Sequence, residues 1–229
     1  MRLKIGLAGG ALLCAVSGAD PIVPVSQYRG VDVEGYVHNA IVSGVDQDEE
    51  SRTAYDFGLF DRSVTVDVSV GTMYSGASSS QQSLIAPWLV AAVGSTSVSL
   101  GDVLPDSAAQ AMAESSLEFV FDLLAPSTVR FDAQVSALND LLGVDLYSAD
   151  FSFWISVGWG LTEEAAFAGV LMPGRYVISA FGQTYLEGYP EDPPQTAVAS
   201  WGLRFQIVPG PGVLAVLAAG GMAAARRRR

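Results

Sequence analysis

The chain has 229 residues, with 24 Asp and Glu against 12 Lys and Arg, one His and one Cys, and half of its residues are hydrophobic. A surface this rich in carboxylates repels phosphate backbones and anionic lipid, which argues against nucleic-acid binding and against peripheral membrane binding. One histidine and one cysteine leave no intrachain disulfide, no multi-histidine zinc site and no two-histidine facial triad.

The first segment reads as an export leader. Arg2 and Lys4 form a basic start, residues 5–16 are apolar, and Ser17-Gly18-Ala19 places small residues where a signal peptidase reads them, so cleavage is expected after Ala19. Cys14 raises a lipoprotein alternative, but Leu13 stands directly before it where a small residue is expected. No twin-arginine pair is present.

Residues 20–208 follow as one β domain, 189 residues long, a length that buries about 70% of its unfolded surface. In chain order, residues 30–42 form a weak strand candidate and the acidic stretch 46–51 a mobile loop. Val64, Val66, Val68 and Val70 alternate with Thr65, Asp67 and Ser69, the period of a half-buried strand. Residues 76–83, rich in Ser and Gln, read as a second mobile loop, and 86–93 and 96–100 as further weak strands. Residues 105–115 suit a short helix capped by Asp106 or Ser107, or else a loop.

Stronger alternation follows. Leu117, Phe119, Phe121 and Leu123 recur at every second position, and after Ala125-Pro126-Ser127 so do Val129, Phe131, Ala133 and Val135. These two segments are expected to form a hairpin or a corner. Residues 151–159 place Phe151, Phe153, Ile155, Val157 and Trp159 on one face and Trp154 on the other. Pro173-Gly174 fits the centre of a type II turn, a strand runs from 175 to 181, and 186–196 is a Pro-containing loop. Ala199, Trp201, Leu203, Phe205 and Ile207 mark a last strand ending at Val208. Eight or so strands without βαβ spacing predict an all-β fold, a single antiparallel β-sandwich of jelly-roll or immunoglobulin-like type, flanked by an N-terminal signal helix and a short C-terminal hydrophobic helix.

The last segment, 209–229, is a Pro-x-Pro, an apolar run at 213–225 and the cluster Arg226, Arg227, Arg228 and Arg229. Thirteen helical residues span about 20 Å against a hydrocarbon core of roughly 30 Å. The run is moreover rich in Ala and interrupted by Gly220 and Gly221. It is a poor permanent anchor, and the arginines supply the hold, since basic clusters stay on the cytoplasmic side. With Arg2 and Lys4, both chain ends are expected inside and the body outside.

Val208, Pro209, Gly210 and Pro211, the apolar run and the terminal arginines together resemble the PEP-CTERM sorting signal. The resemblance covers only about the last 22 residues. It implies recognition and cleavage by a membrane-embedded exosortase, and delivery to the cell surface or an exopolysaccharide-associated matrix. Gly210 stands where the usual motif has Glu. Loss of both end segments would leave 6 of the 12 basic residues against all 24 acidic ones, a charge near −18. The remaining cations are Arg29, Arg52, Arg62, Arg130, Arg175 and Arg204, and Cys14 leaves with the leader.

Residues that bear chemistry are few. His38 has no Gly-x-Ser-x-Gly elbow to accompany it. Asp46, Asp48 and Glu50 share the first spacings of a calcium loop, but Ser51 and Phe57 occupy the positions that need Gly and a bidentate carboxylate. Glu163-Glu164 and Glu191-Asp192 are adjacent pairs that would diverge on a strand. Trp154, flanked by Ser152 and Ser156, and the loop residues Tyr185 and Tyr189 offer flat faces for sugar rings; Trp159 and Trp201 suit a core. The expected protein is a structural or interaction component of the surface or matrix, not an enzyme, with no cofactor or metal. Its partners are signal peptidase and exosortase, transiently, and exopolysaccharide. A carbohydrate- or calcium-binding adhesin is the alternative class, and a secreted hydrolase the third.

Overall fold

Alternation with a period of two governs the body. The computed structural model describes residues 22–137, 141–158, 164–190 and 192–208, whose elements are twelve strands. They are β1 (Ile22–Asn39), β2 (Gly44–Ala54), β3 (Leu59–Val70), β4 (Met73–Ala86), β5 (Leu89–Leu100), β6 (Ala108–Leu123), β7 (Ser127–Ala137), β8 (Leu141–Ser148), β9 (Trp154–Gly158), β10 (Glu164–Leu171), β11 (Gly174–Gly188) and β12 (Gln195–Ile207). One antiparallel sheet has the order β2-β1-β6-β11-β8-β9 and the other β10-β7-β12-β5-β4-β3. Apolar residues from both sheets share the same buried clusters, so the sheets pack face to face in a sandwich-like arrangement. The two flanking helices expected at 1–19 and 209–229 lie outside the described residues.

The strongest sequence patterns become the inward faces. Val64, Val66 and Val68 of β3, Leu117 to Leu123 of β6 and Trp201 to Ile207 of β12 are buried at every second residue. Phe119 stacks on Phe121, and Phe121 meets Phe205 of the opposite sheet with centroids 5.2 Å apart. Each such ring contributes about 1.5–3 kcal/mol by leaving water. Strands β6 and β7 belong to different sheets, so the segment 124–126 is a corner.

Several weaker expectations change. Residues 105–115 form no helix: Asp106 takes a left-handed turn conformation (φ 58°), and β6 begins at Ala108. Ala109, Ala111, Ala113 and Ser115 then face inward while Gln110, Met112 and Glu114 face outward. Residues 76–83 are strand β4, not a mobile loop. Its inward hydroxyls donate across the gap between sheets, Ser75 Oγ to the Gln110 carbonyl and Ser79 Oγ to the Glu114 carbonyl, each at 2.5 Å. Small polar residues thus serve as a core because their partners lie on β6. The acidic stretch 46–51 is part of edge strand β2, paired with β1 throughout.

At Pro173-Gly174 there is no type II turn, because Gly174 is nearly extended (φ 159°) and opens β11, on the sheet opposite β10. Residues 151–159 are not one strand. Phe151 turns in a left-handed conformation (φ 57°), only 154–158 are strand, and Trp159 lies outside the described residues. Strand β11 runs on to Gly188, which puts Tyr185 on a strand and shortens the predicted 186–196 loop to 189–194.

A polar belt divides the interior. Along β6 the inward residues run from alanines through Ser115 to Leu117 and the phenylalanines, separating two apolar clusters. Buried Thr96 and Thr184 share a hydrogen bond across the sheets. Arg29 of β1 is fully buried and donates to the carbonyls of Gly58 (3.0 Å) and Asp56 (2.5 Å), with its guanidinium 5.2 Å from the Phe60 ring centroid. It ties the 55–58 connection to the core.

Candidate functional site

The predicted chemical residues do not converge. His38 lies on β1 opposite Val45 and Ala108, neither of which could relay a proton. Asp46, Asp48 and Glu50 alternate along extended β2, where same-face neighbours stand about 7 Å apart, too far to close on one ion. Asp46 instead accepts the Ser69 backbone N–H at 3.1 Å, and Glu50 pairs with Arg52 at 2.6 Å. Among the described residues no group of three acidic or histidine side chains is arranged to hold a metal ion. Glu164 opens β10, and the Asp192 carboxylate accepts the Tyr189 N–H at 2.9 Å. Glu163, Glu191, Ala19, Cys14, Pro209, Gly210, Pro211 and Arg226 to Arg229 lie outside the described residues.

One carboxylate pair does emerge. Asp32 and Glu114 are direct cross-strand partners on the outer face of the first sheet. Burial pushes both carboxyls up; Asp32 adds to the effect on Glu114, and Glu49 to that on Asp32. They stand half-buried on a sheet face.

The β8–β9 hairpin carries an exposed aromatic platform. Tyr147 and Trp154 are cross-strand partners. Phe151, at the tip, lies almost parallel to Tyr147 (5.4 Å, 5°) and meets Trp154 edge-on at 6.5 Å. Phe151 is 67% exposed and Trp154 62%. The Trp154 indole N–H donates to Asp145 Oδ1 at 3.1 Å, which fixes the ring. The turn is held by Asp150, whose carboxylate accepts from Ser148 Oγ (2.6 Å) and from Ser152 N–H (3.1 Å) and Oγ (2.8 Å). Those hydrogen bonds, Ser148's first, push its pKa down to about 2. Burial, then the charges of Glu118 and Asp145, pushes the Tyr147 phenol up, so it stays protonated as a hydrogen-bond donor. Tyr185 is on the outer face of β11 and Tyr189 in the 189–194 connection, away from this hairpin; Trp201 is core.

The platform belongs to a larger feature, the pole at which the described chain begins and ends. Ile22 pairs with Leu123, Ile207 pairs with Val129, and the Val208 N–H donates to the Thr128 carbonyl at 2.8 Å. Only residues 124–127 separate Leu123 from Thr128, so the two ends leave the body side by side. Five strand connections reach the same pole, and each exposes a large apolar side chain: Phe57 in 55–58, Trp88 in 87–88, Leu124 in 124–126, Phe151 in 149–153 and Met172 in 172–173. Tyr55, Leu59 and Val208 add to it.

This set is not evident from the alternation pattern or from the backbone chemistry of the turns. A signal was present, since Pro87-Trp88, Asp150-Phe151, Phe57-Gly58 and Met172-Pro173 each place a large apolar residue inside a turn, where water normally favours small polar ones. Charge divides along the same axis. Arg175 pairs with Asp122, Arg130 with Asp132 and Arg29 with Asp56 near the pole of the chain ends. Glu34, Asp46, Asp48, Asp67, Asp102, Asp106 and Glu187 lie toward the other pole. No protein-family model matches the chain, and no curated protein matches it in sequence.

Proposed function

We propose that the protein is an exported component of the cell surface or extracellular matrix, structural or interaction in type, held briefly at a membrane by both ends and released by cleavage in its C-terminal tail. The observation that carries this reading is the emergence of Ile22 and Val208 side by side. A leader and a tail that both stop at one membrane surface require a body whose ends are adjacent, and this body meets that requirement without unfolding a strand. Val208 is still hydrogen-bonded to Thr128, so Pro209 follows directly on an ordered strand end. Signal peptidase and an exosortase are the transient partners, and exopolysaccharide is the setting.

The finer architecture in this reading is a jelly roll. Strands β5 to β12 supply the orders β10-β7-β12-β5 and β6-β11-β8-β9, the winding of two interleaved Greek keys, while β1–β2 and β4–β3 extend one edge of each sheet. That order supports a jelly roll over an immunoglobulin-like sandwich.

Intact-mass measurement of the protein exported by its native host tests the sorting reading. Residues 1–19 and the tail beyond about Pro209 are expected to be missing; retention of Arg226 to Arg229 would defeat it. Replacing the four arginines by Ser is expected to release unprocessed protein.

The β8–β9 platform favours a second reading, a carbohydrate-binding adhesin. Sugar rings stack apolar faces on aromatic rings while their hydroxyls seek acceptors, and Trp154 lies beside Asp145. A glycan array probed with the native chain and with Trp154→Ala decides it. A signal lost in the variant supports the adhesin, and silence from the native chain rejects it.

A further inference from the structure

We propose that the pole bearing both chain ends is a docking surface for a lipid bilayer, on which the body rests while its ends are tethered; this builds on the tethering reading above. Three independent observations converge. The first is composition: Phe57, Trp88, Leu124, Phe151 and Met172 come from five separate connections, and Leu124 and Met172 are each 62% exposed. A soluble body gains nothing from an apolar tip on every turn at one end, whereas a bilayer interface accepts Trp, Phe, Leu and Met side chains a few ångströms deep.

The second is charge. The chain is acidic, yet around this pole Asp122, Asp132 and Asp56 each have an arginine partner. The carboxylates of β2 and of the 101–107 connection lie toward the opposite end. Asp61 and Asp150 carry charge unpaired among the described residues here, but Arg29, Arg52, Arg62, Arg130, Arg175 and Arg204 all lie toward this pole, so the molecule turns its less acidic end to the head groups and its more acidic end to solvent. Arg130 and Arg175 are half or more exposed on the outer surfaces near the pole, where their aliphatic stems can lie against the interface while their guanidiniums stay paired with Asp132 and Asp122.

The third is where the chain goes. Residues 209–229 continue from Val208 at the centre of this pole, and the apolar run begins at Val213, so a bilayer holding that run lies within a few residues of the turns. Tethering at that range converts a weak interfacial affinity into a populated contact through effective concentration. A second copy of the chain fits less well, since it would bring another acidic body alongside; a glycan would engage the hairpin rather than all five turns.

The test uses the full chain incorporated into phosphatidylcholine–phosphatidylglycerol vesicles whose acyl chains are brominated near the head-group end. Trp154→Phe and Trp159→Phe leave Trp88 as the exposed reporter beside buried Trp201. The expected result is co-flotation with vesicles, a large loss of Trp88 emission relative to unbrominated lipid, and recovery of that emission in the exposed-site variant Leu124→Ser/Met172→Ser, with flotation and far-ultraviolet circular dichroism unchanged. Flotation without quenching, or quenching that the double variant leaves intact, overturns the docking and spares the tether. No flotation overturns both. Trp88 shielded in detergent by a concentration-dependent dimer assigns the pole to self-association and also overturns the proposal.

Discussion

The indole N–H of Trp201 on β12 donates to the backbone carbonyl of Ser115 on β6 at 3.1 Å, tying the last strand of one sheet to the middle of the other. The ring lies between two glycines: Gly94 is its cross-strand partner, and Gly182 faces it from the opposite sheet. A Cβ at Gly94 would run into the indole and the Ser115 hydroxyl, and one at Gly182 would come 2.9 Å from the indole and 3.0 Å from Leu142. The sheets approach closely here because those side chains are missing.

Trp201→Phe keeps most of the apolar contact and loses the hydrogen bond. A loss of about 1–2 kcal/mol is expected in urea unfolding, whereas Trp201→Ala loses about 3–5 kcal/mol. Equal effects for the two variants would assign the whole loss to the hydrogen bond, and an unchanged midpoint for Trp201→Phe would show that the bond contributes nothing.

Gly182→Ala adds one methyl to a filled site. Overpacking is expected to cost about 1–3 kcal/mol. The same substitution at Gly202, whose nearest atoms are 3.5 Å or more away, is expected to be milder, and the difference between the two unfolding midpoints checks the close approach.

Arg29 is buried and bonded to two carbonyls of the 55–58 connection, while the Asp56 side chain 3.6 Å away is 85% exposed. Arg29→Ala removes a fully buried side chain and its bonds to both carbonyls, of which Gly58 keeps the Ile85 N–H, and a destabilisation of about 2–5 kcal/mol is expected. Asp56→Asn retains the backbone carbonyl and is expected to change stability by less than about 0.5 kcal/mol. A large effect for Asp56→Asn would transfer the role to the ion pair.

Burial, and then the charge of its cross-strand partner Asp32, pushes the Glu114 carboxyl up from its ordinary value. In the window above the ordinary value the folded state binds more protons than the unfolded chain, so stability falls as pH rises through it and returns on acidification. Glu114→Gln is therefore expected to stabilise at neutral pH by about 0.5 kcal/mol, the scale of one cross-strand pair. The gain should vanish below about pH 3, where both states are protonated. An equal gain at both pH values would point to packing instead.

Asp150 shows the opposite sign. With its pKa held at about 2 by Ser148 and Ser152, its contribution to the hairpin is present above the ordinary carboxylate range and is lost as pH falls through that value. An NMR titration of the carboxyl carbon reads the midpoint directly, and Ser148→Ala is expected to raise it. An unmoved midpoint would remove Ser148 as the principal cause.

Large side chains made the strand class legible. Val64 to Val70, Leu117 to Leu123 and Ala199 to Ile207 alternate strongly enough that no helix could bury them on one face, so the all-β reading and the C-terminal parts of β3, β6 and β12 followed from the chain alone. Where residues are small and polar, the same rule was silent. Ser75, Ser79 and Ser115 resemble a loop until the other sheet supplies their hydrogen-bond partners, and Ala109 to Ala113 resemble a helix until β4 lies opposite.

The chain by itself determined its leader-like start, its basic tail and its acidic balance, because those depend on composition along a line. Tertiary structure alone decided that Ile22 and Val208 lie together and that five distant turns present their apolar tips at one end. The reason is geometric: strand pairing brings together residues far apart in sequence, and which pole a turn reaches depends on the direction of every strand before it.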